Sequence, residues 1–366
     1  MLKKVYTVLS LFSLGVFFLS GCRSSNPSQS AESFFNTVQD PKAAERIEFS
    51  SSGVSFGMRC VPGGITFPMD FYDYGIMRLT MEKPYWIAET EVTYELWKKV
   101  YDWAVSGKDK KEGSGSYTFI HTGRQGADSS LDGEPVGNKY HPVTNISWRD
   151  ALIWCNALTE WYNAKNGTKF TCVYYSDAQF ANPLRSVDGS DDYPCIITPG
   201  TQDNPFVDPG ADGFRLPSRD EWVLAAVYQG ENTVNAEEDF AYPYFTDAPS
   251  ASGASANFRD EGETGKFAWY SINSGGSTKA SGSAGTDGTK PLTGNPNFLG
   301  IYDMSGNVME FSFDWYRPGE MGWCFKTIHN GSWAGTGGCQ IINVRMNILP
   351  YDANNFTGFR FARNFK

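Results

Sequence analysis

Residues 297–310 read Asn297-Phe298-Leu299-Gly300-Ile301-Tyr302-Asp303-Met304-Ser305-Gly306-Asn307-Val308-Met309-Glu310. Apolar residues alternate on both sides of a glycine turn, the pattern of two short half-buried segments joined by a reversal, and Trp315 closes the strand that follows. Upstream, Phe214-Arg215-Leu216-Pro217-Ser218-Arg219-Asp220-Glu221-Trp222 combines an extended end, a proline stop and a Ser218–Glu221 capping box that opens a helix. A second box, Ser147 with Asp150, precedes Ala151, Leu152, Trp154, Cys155, Leu158 and Trp161. Thr93 precedes Leu96, Trp97, Val100, Tyr101 and Ala104, again at helix spacing. These helices are expected to be short and buried on one side. The Gly, Ser and Asp-rich stretches near 105–140, 176–212 and 245–288 read as long surface loops. The fold class is therefore α+β with little regular secondary structure.

The chain has 366 residues, of which 40% are hydrophobic and 20% charged, so one large core can be buried. With 15% aromatics, 38 glycines and 19 prolines, rings packed under turns are favoured, and collagen, coiled coil and helical bundle are set aside. The net charge is −10, or −12 without Lys3 and Lys4, which argues against nucleic acid as a partner. Those lysines open residues 1–22, where an apolar run from Val8 to Leu19 is followed by small residues and Cys22: an export signal, too short for an ordinary membrane span. Leu19-Ser20-Gly21-Cys22 resembles the bacterial lipoprotein signal, which implies lipidation at Cys22 and anchoring in the envelope, with surface exposure on the outer membrane expected. Residues 23–45, rich in Ser, Asn, Gln and Ala, read as a tether, and 46–366 as one domain. Export makes disulfides feasible among Cys60, Cys155, Cys172, Cys195, Cys324 and Cys339, with the pairing left open.

The motifs recur in a recognisable order: Glu91-Val92-Thr93, His141 to Ala151, Phe214 to Trp222, Ala256-Asn257-Phe258, Asn297 to Glu310, Gly331-Ser332-Trp333 and Gly358 to Ala362. Together they resemble the formylglycine-generating, sulfatase-modifying enzyme family, which implies an elaborated C-type lectin fold. Trp148, Trp222, Trp333 and Phe359 are expected in the core. The oxidising members of that family bind copper through a cysteine pair that falls here on Gly335 and Gln340, with Cys339 one position away. A related branch holds iron through three histidines, whereas His121, His141 and His329 stand in unrelated contexts, where surface or capping roles are expected. No catalytic residue is assigned, and neither copper nor iron is expected. The family's calcium site maps onto Asp303, Gly306, Val308 and Glu310, two carboxylates and two main-chain carbonyls suited to a structural hard cation; the alternative for Glu310 is a carboxylate tying two loops together.

The end of the chain also resembles the variable region of proteins diversified by a retroelement. The frame would be Gly331, Ser332, Trp333, Arg345, Pro350, Gly358, Phe359, Arg360, Ala362 and Arg363, and the variable region about 329–363. That resemblance implies ligand contacts from Ala334, Gly335, Thr336, Gly338, Ile341, Asn343, Asn347, Ile348, Leu349, Tyr351, Asp352, Asn354 and Asn355. Ile348, Leu349 and Tyr351 around Pro350 would make an apolar anchor, although Ile341, Ile348 and Leu349 read equally well as core. Exposed positions of this kind can change at little cost in stability. The expected partner is a protein or host-surface ligand, with a carbohydrate as the second class. The competing functions are an oxidoreductase of the formylglycine-generating type and a degenerate, non-catalytic scaffold.

Overall fold

The computed structural model describes residues 44–71, 75–107, 111–130, 136–190, 198–247, 249–316, 324–337 and 345–365. Cys22, the tether up to residue 43, Cys195, Cys339, Gln340 and the candidate contacts Gly338, Ile341 and Asn343 lie outside them. The described residues fall in one compact unit, residues 40–366.

Helices form where the caps stand. Helix α1 (Tyr94–Ser106) starts at Thr93, whose Oγ1 accepts from the Leu96 amide, and stops at Gly107 in the left-handed region. Helix α2 (Trp148–Asn166) carries the full capping box: Asp150 N donates to Ser147 Oγ (3.1 Å) and Ser147 N to Asp150 Oδ2 (2.9 Å). Helix α3 (Arg219–Val227) repeats it with Ser218 and Glu221. Helix α4 (Glu261–Phe267), capped by Asp260, lies inside a stretch read as loop from sequence.

Helix α2 corrects the expectation of short, one-sided helices. It is 19 residues long, and every residue from Trp148 to Trp161 is buried. Its polar residues tolerate this because each finds a partner. Arg149 bonds Asp203 through Nε (2.6 Å) and Nη2 (2.7 Å); Asn156 donates to Tyr174 O and Leu184 O; Glu160 accepts from Tyr117 and Arg185.

Among the described residues the two largest sheets have five and four strands. The first is antiparallel throughout, in the order Arg46–Ser51, Val54–Val61, Tyr85–Ala88, Ala362–Asn364, Phe214–Arg215, so the last strand of the chain lies between two early ones. The second runs Arg345–Ile348, Phe325–His329, Met309–Tyr316, Thr357–Gly358, the last pair parallel. Between α1, α2 and the sheets lies an aromatic core. Trp97 and Trp154 stack at 5.7 Å and Phe359 meets both edge-on, while Phe49, Phe56, Phe214 and Phe361 pack beside them. Trp148, Trp222, Trp333 and Phe359 are all buried, as expected from sequence. Cys60, Cys155 and Cys172 are free buried thiols and Cys324 is disulfide-bonded.

Candidate functional site

The C-terminal arm, residues 333–337 and 346–356, is held mainly by its backbone. Trp333 N donates to Asn307 O (2.8 Å) and its indole Nε1 to Asn355 O (3.0 Å), with Phe356 stacked on the ring at 5.5 Å. Ser274 Oγ donates to Trp333 O (2.8 Å) and Ser271 N to Gly335 O (3.0 Å). Farther on, Arg149 N donates to Pro350 O (3.1 Å) and Asn145 N to Asn354 O (2.9 Å). These bonds use main-chain atoms of the arm, which every residue type except proline can supply, and Asn354 adds a side-chain bond by accepting from Phe356 N at 2.9 Å.

Among the described candidates, Ala334, Thr336, Asn347 and Asp352 are exposed, and Gly335, Leu349, Tyr351 and Asn354 are half-buried. The Arg149 guanidinium lies 5.3 Å from the Tyr351 ring centroid and fixes it from below. Two candidates turn inward, which corrects their assignment to the face. Ile348 joins the aromatic core, and Asn355 is buried with Nδ2 donating to Asp128 O (2.9 Å). A strand pleat sends Ile348 inward where Asn347 points outward.

Beneath the arm lies a buried charge centre. Arg360 bonds Glu310 through Nε and Nη2, both at 2.6 Å, and donates to Ala88 O (3.2 Å) and Tyr302 O (2.9 Å). Trp222 Nε1 donates to Glu310 Oε2 (2.8 Å). Glu310, in the strand Met309–Tyr316, therefore ties Arg360 to Trp222 of helix α3 through side-chain bonds, a structural tie of the kind left open as the alternative, though between a strand and a helix and not two loops. With both its oxygens engaged by Arg360, the set Asp303, Gly306, Val308, Glu310 does not fit a calcium ion in the arrangement expected from the resemblance.

Sequence reasoning missed Glu91, which belongs to the same centre. Its carboxyl is 1% exposed and lies within hydrogen-bonding reach of Asp303. Apart from this mutual contact, the Glu91 oxygens and Asp303 Oδ1 have no hydrogen-bond partner, whereas Asp303 Oδ2 accepts from Gly282 N (2.5 Å). Burial, reinforced by the neighbouring carboxylates, pushes Glu91 well above the usual range, and burial pushes Asp303 up to about 6. The Glu-Val-Thr motif contained the signal, but sequence does not reveal which of its residues meets Asp303.

Lys326 was also missed. It is 1% exposed, with Nζ 3.4 Å from the Trp315 ring centroid, 3.7 Å from that of Trp148, and donating to Phe313 O (3.3 Å). Burial lowers its pKa well below the ordinary value. Two of the three histidines depart from the surface or capping roles expected of them. His329 is buried, stacked on Trp222 at 4.4 Å, and His141 is buried with Nδ1 3.0 Å from Thr278 Oγ1. His121, partly exposed, bonds Asp150 Oδ2 through Nδ1 (2.7 Å).

A family model described as the sulfatase-modifying factor enzyme 1-like domain matches residues 54–365. The chain belongs to that family. Among solved structures, Treponema denticola variable protein 1 shares the fold at TM-score 0.58 and 24% identity, over 87% of this chain and 99% of that one. CarF is similar at TM-score 0.56 and 25% identity, over 84% of this chain and 98% of that one. The family's elaborated C-type lectin fold, expected from the motif order, is thus the fold of this chain. A curated relative, chaperone protein LppX of Paenibacillus barcinonensis, is 29% identical over 180 residues, 49% of this chain. The chain spans about half the length of that relative, 54% of it. No helix among the described residues is long and apolar enough to cross a membrane.

Proposed function

We propose that this chain is an exported, lipid-anchored binding protein whose ligand contacts come from a diversified C-terminal arm. The observation that carries the reading is the division of labour in the arm: backbone bonds and buried Trp333 fix its path, while Ala334, Thr336, Asn347 and Asp352 face outward. Leu349, Tyr351 and Asn354 add half-buried contacts beside them. The fold shared with Treponema denticola variable protein 1 supports this reading, as does similarity over half the chain to chaperone protein LppX. A disulfide at Cys324 is chemistry of an oxidising compartment and supports export. The reading is non-catalytic, because Gly335 presents no ligating side chain where the oxidising members use cysteine. A protein or host-surface ligand fits a broad exposed face, and a carbohydrate is the second class.

The test is deep sequencing of the 3′ end of the gene from many cells of one culture, with a search of neighbouring DNA for a near-copy. Substitutions confined to positions between Trp333 and Gly358, with Trp333, Phe359 and Arg360 unchanged, are the expected result. Uniform sequence and no copy would overturn active diversification.

A further inference from the structure

The cations that this fold draws inward are matched to their surroundings, with one exception. Arg149, Arg215 and Arg360 each meet a carboxylate, and Lys326 is packed between two indoles. Lys279 is half-buried, and among the described residues no carboxylate comes within ion-pair distance of it. Its ammonium donates to the Ser277 hydroxyl (3.3 Å) and lies 5.9 Å from the Trp269 ring centroid. Burial lowers its pKa, and no neighbouring carboxylate offsets the effect. A desolvated charge without a counter-charge costs stability. The side chain is nevertheless held in place. Asn307 accepts from Lys279 N (2.9 Å) and donates to Lys279 O (3.3 Å), and the stem lies against Gly288, at φ +76°, where a Cβ would come within 2.8 Å of Lys279 Cδ.

Lys279 opens on a cavity of about 620 Å³, lined also by Lys266, Trp269, Ser274, Gly275 and Asp287. That is room for a small organic molecule. Gly275 leaves the approach to the ammonium clear, since a Cβ there would meet nothing nearer than Lys279 Nζ at 3.8 Å. The other charges in the cavity are partly engaged. Lys266 bonds Glu263 (2.7 Å), and Asp287 accepts from Thr289 N (3.0 Å) and Oγ1 (2.7 Å) through Oδ1, which leaves Oδ2 for a hydroxyl donor. One unpaired ammonium suits a single negative charge, and a carboxylate in the same cavity repels a polyanion while accepting from hydroxyls. The wall is rigid: Ser274 Oγ donates to Trp333 O (2.8 Å), and Asn307 N to Trp269 O (2.8 Å).

We propose that this cavity binds a hydroxylated organic acid of the sugar-acid class, its carboxylate on Lys279 and a hydroxyl on Asp287, with Trp269 as the aromatic wall. No lining residue belongs to the C-terminal arm, so the site stands or falls separately from diversification of that arm.

The test titrates the whole chain at low salt with glucuronate, glucose and acetate, following the ligand signals by NMR. Glucuronate is expected to bind, glucose at least about tenfold more weakly for want of the charge, and acetate several-fold more weakly for want of the hydroxyls. Lys279→Met should reduce glucuronate to the level of glucose while leaving the melting temperature of the free chain unchanged or raised, because an unpaired charge is removed. If that variant folds poorly, the parent chain decides: its affinity for glucuronate should fall as salt is added. Silence toward glucuronate, or glucuronate binding that is unchanged in Lys279→Met or insensitive to salt, would overturn the proposal. Equal affinity for acetate, or tighter binding of a triglutamate peptide, would overturn the ligand class, the first in favour of a plain anion site and the second in favour of an acidic protein partner.

Discussion

The arm around Trp333 and the centre around Arg360 are close in sequence and are built on opposite principles. In the arm, Trp333, Gly335, Pro350, Asn354 and Asn355 are bonded to their surroundings through main-chain groups, which do not depend on the side chain present. In the centre, the side chains of Arg360, Glu310 and Trp222 make the bonds, and each carries a group that cannot be left alone without solvent. Side-chain changes are therefore expected to cost less in the first than in the second. The segments that meet at Arg360, around Ala88 and from Tyr302 to Glu310, are more than two hundred residues apart in the chain, so the centre joins distant parts of the lectin-like fold.

The contrast breaks most visibly at Arg360. Arg360→Met keeps the aliphatic stem but leaves Glu310 buried without its counter-charge, and the expected loss is about 3–5 kcal/mol, read from the midpoint of denaturant unfolding. A loss no larger than that of an exposed arm substitution would show that the centre is not the clasp described here.

Acidification should strain the interior and spare the arm. Burial, with Lys279 nearby, lowers His141 from 6.5 to about 4. A histidine depressed in the folded state contributes stability that is present above its unfolded pKa and is lost as pH falls through the folded one. The window is therefore from pH 6.5 down to 4, with a cost of about 3 kcal/mol across it. His141→Gln should flatten that part of the stability profile; an unchanged slope would assign the loss to other groups.

The finest test uses two asparagines of the arm. Asn355→Ala removes a buried donor to Asp128 O and should cost about 1–2 kcal/mol, whereas exposed Asn347→Ala should stay within about 0.5 kcal/mol in thermal unfolding. Equal costs would mean that the arm has no distinct inner and outer side.

Much of this architecture was legible beforehand, and the readable parts were the local ones. Thr93, Ser147 with Asp150, and Ser218 with Glu221 marked three helix starts, because a cap is decided by residues three positions apart. The burial of Trp148, Trp222, Trp333 and Phe359 followed from their size and apolar character. Less legible were the length and all-round burial of α2, since Arg149, Asn156 and Glu160 read as a polar face until Asp203, Tyr174 and Arg185 are brought to them. Burial along the arm was not legible residue by residue: Ile348 and Asn355 lie among outward neighbours and are buried.

The sequence alone determined the helix starts, the motif order that carries the family and the stretch that forms the arm, because those depend on neighbours in the chain. Tertiary structure decided that Arg360 would engage Glu310, that Lys326 would lie between Trp148 and Trp315, and that Glu91 would be left facing Asp303. Those pairings join residues tens to hundreds of positions apart. A buried charge is compatible with folding only when packing delivers its partner, and that distance is set by the folded chain.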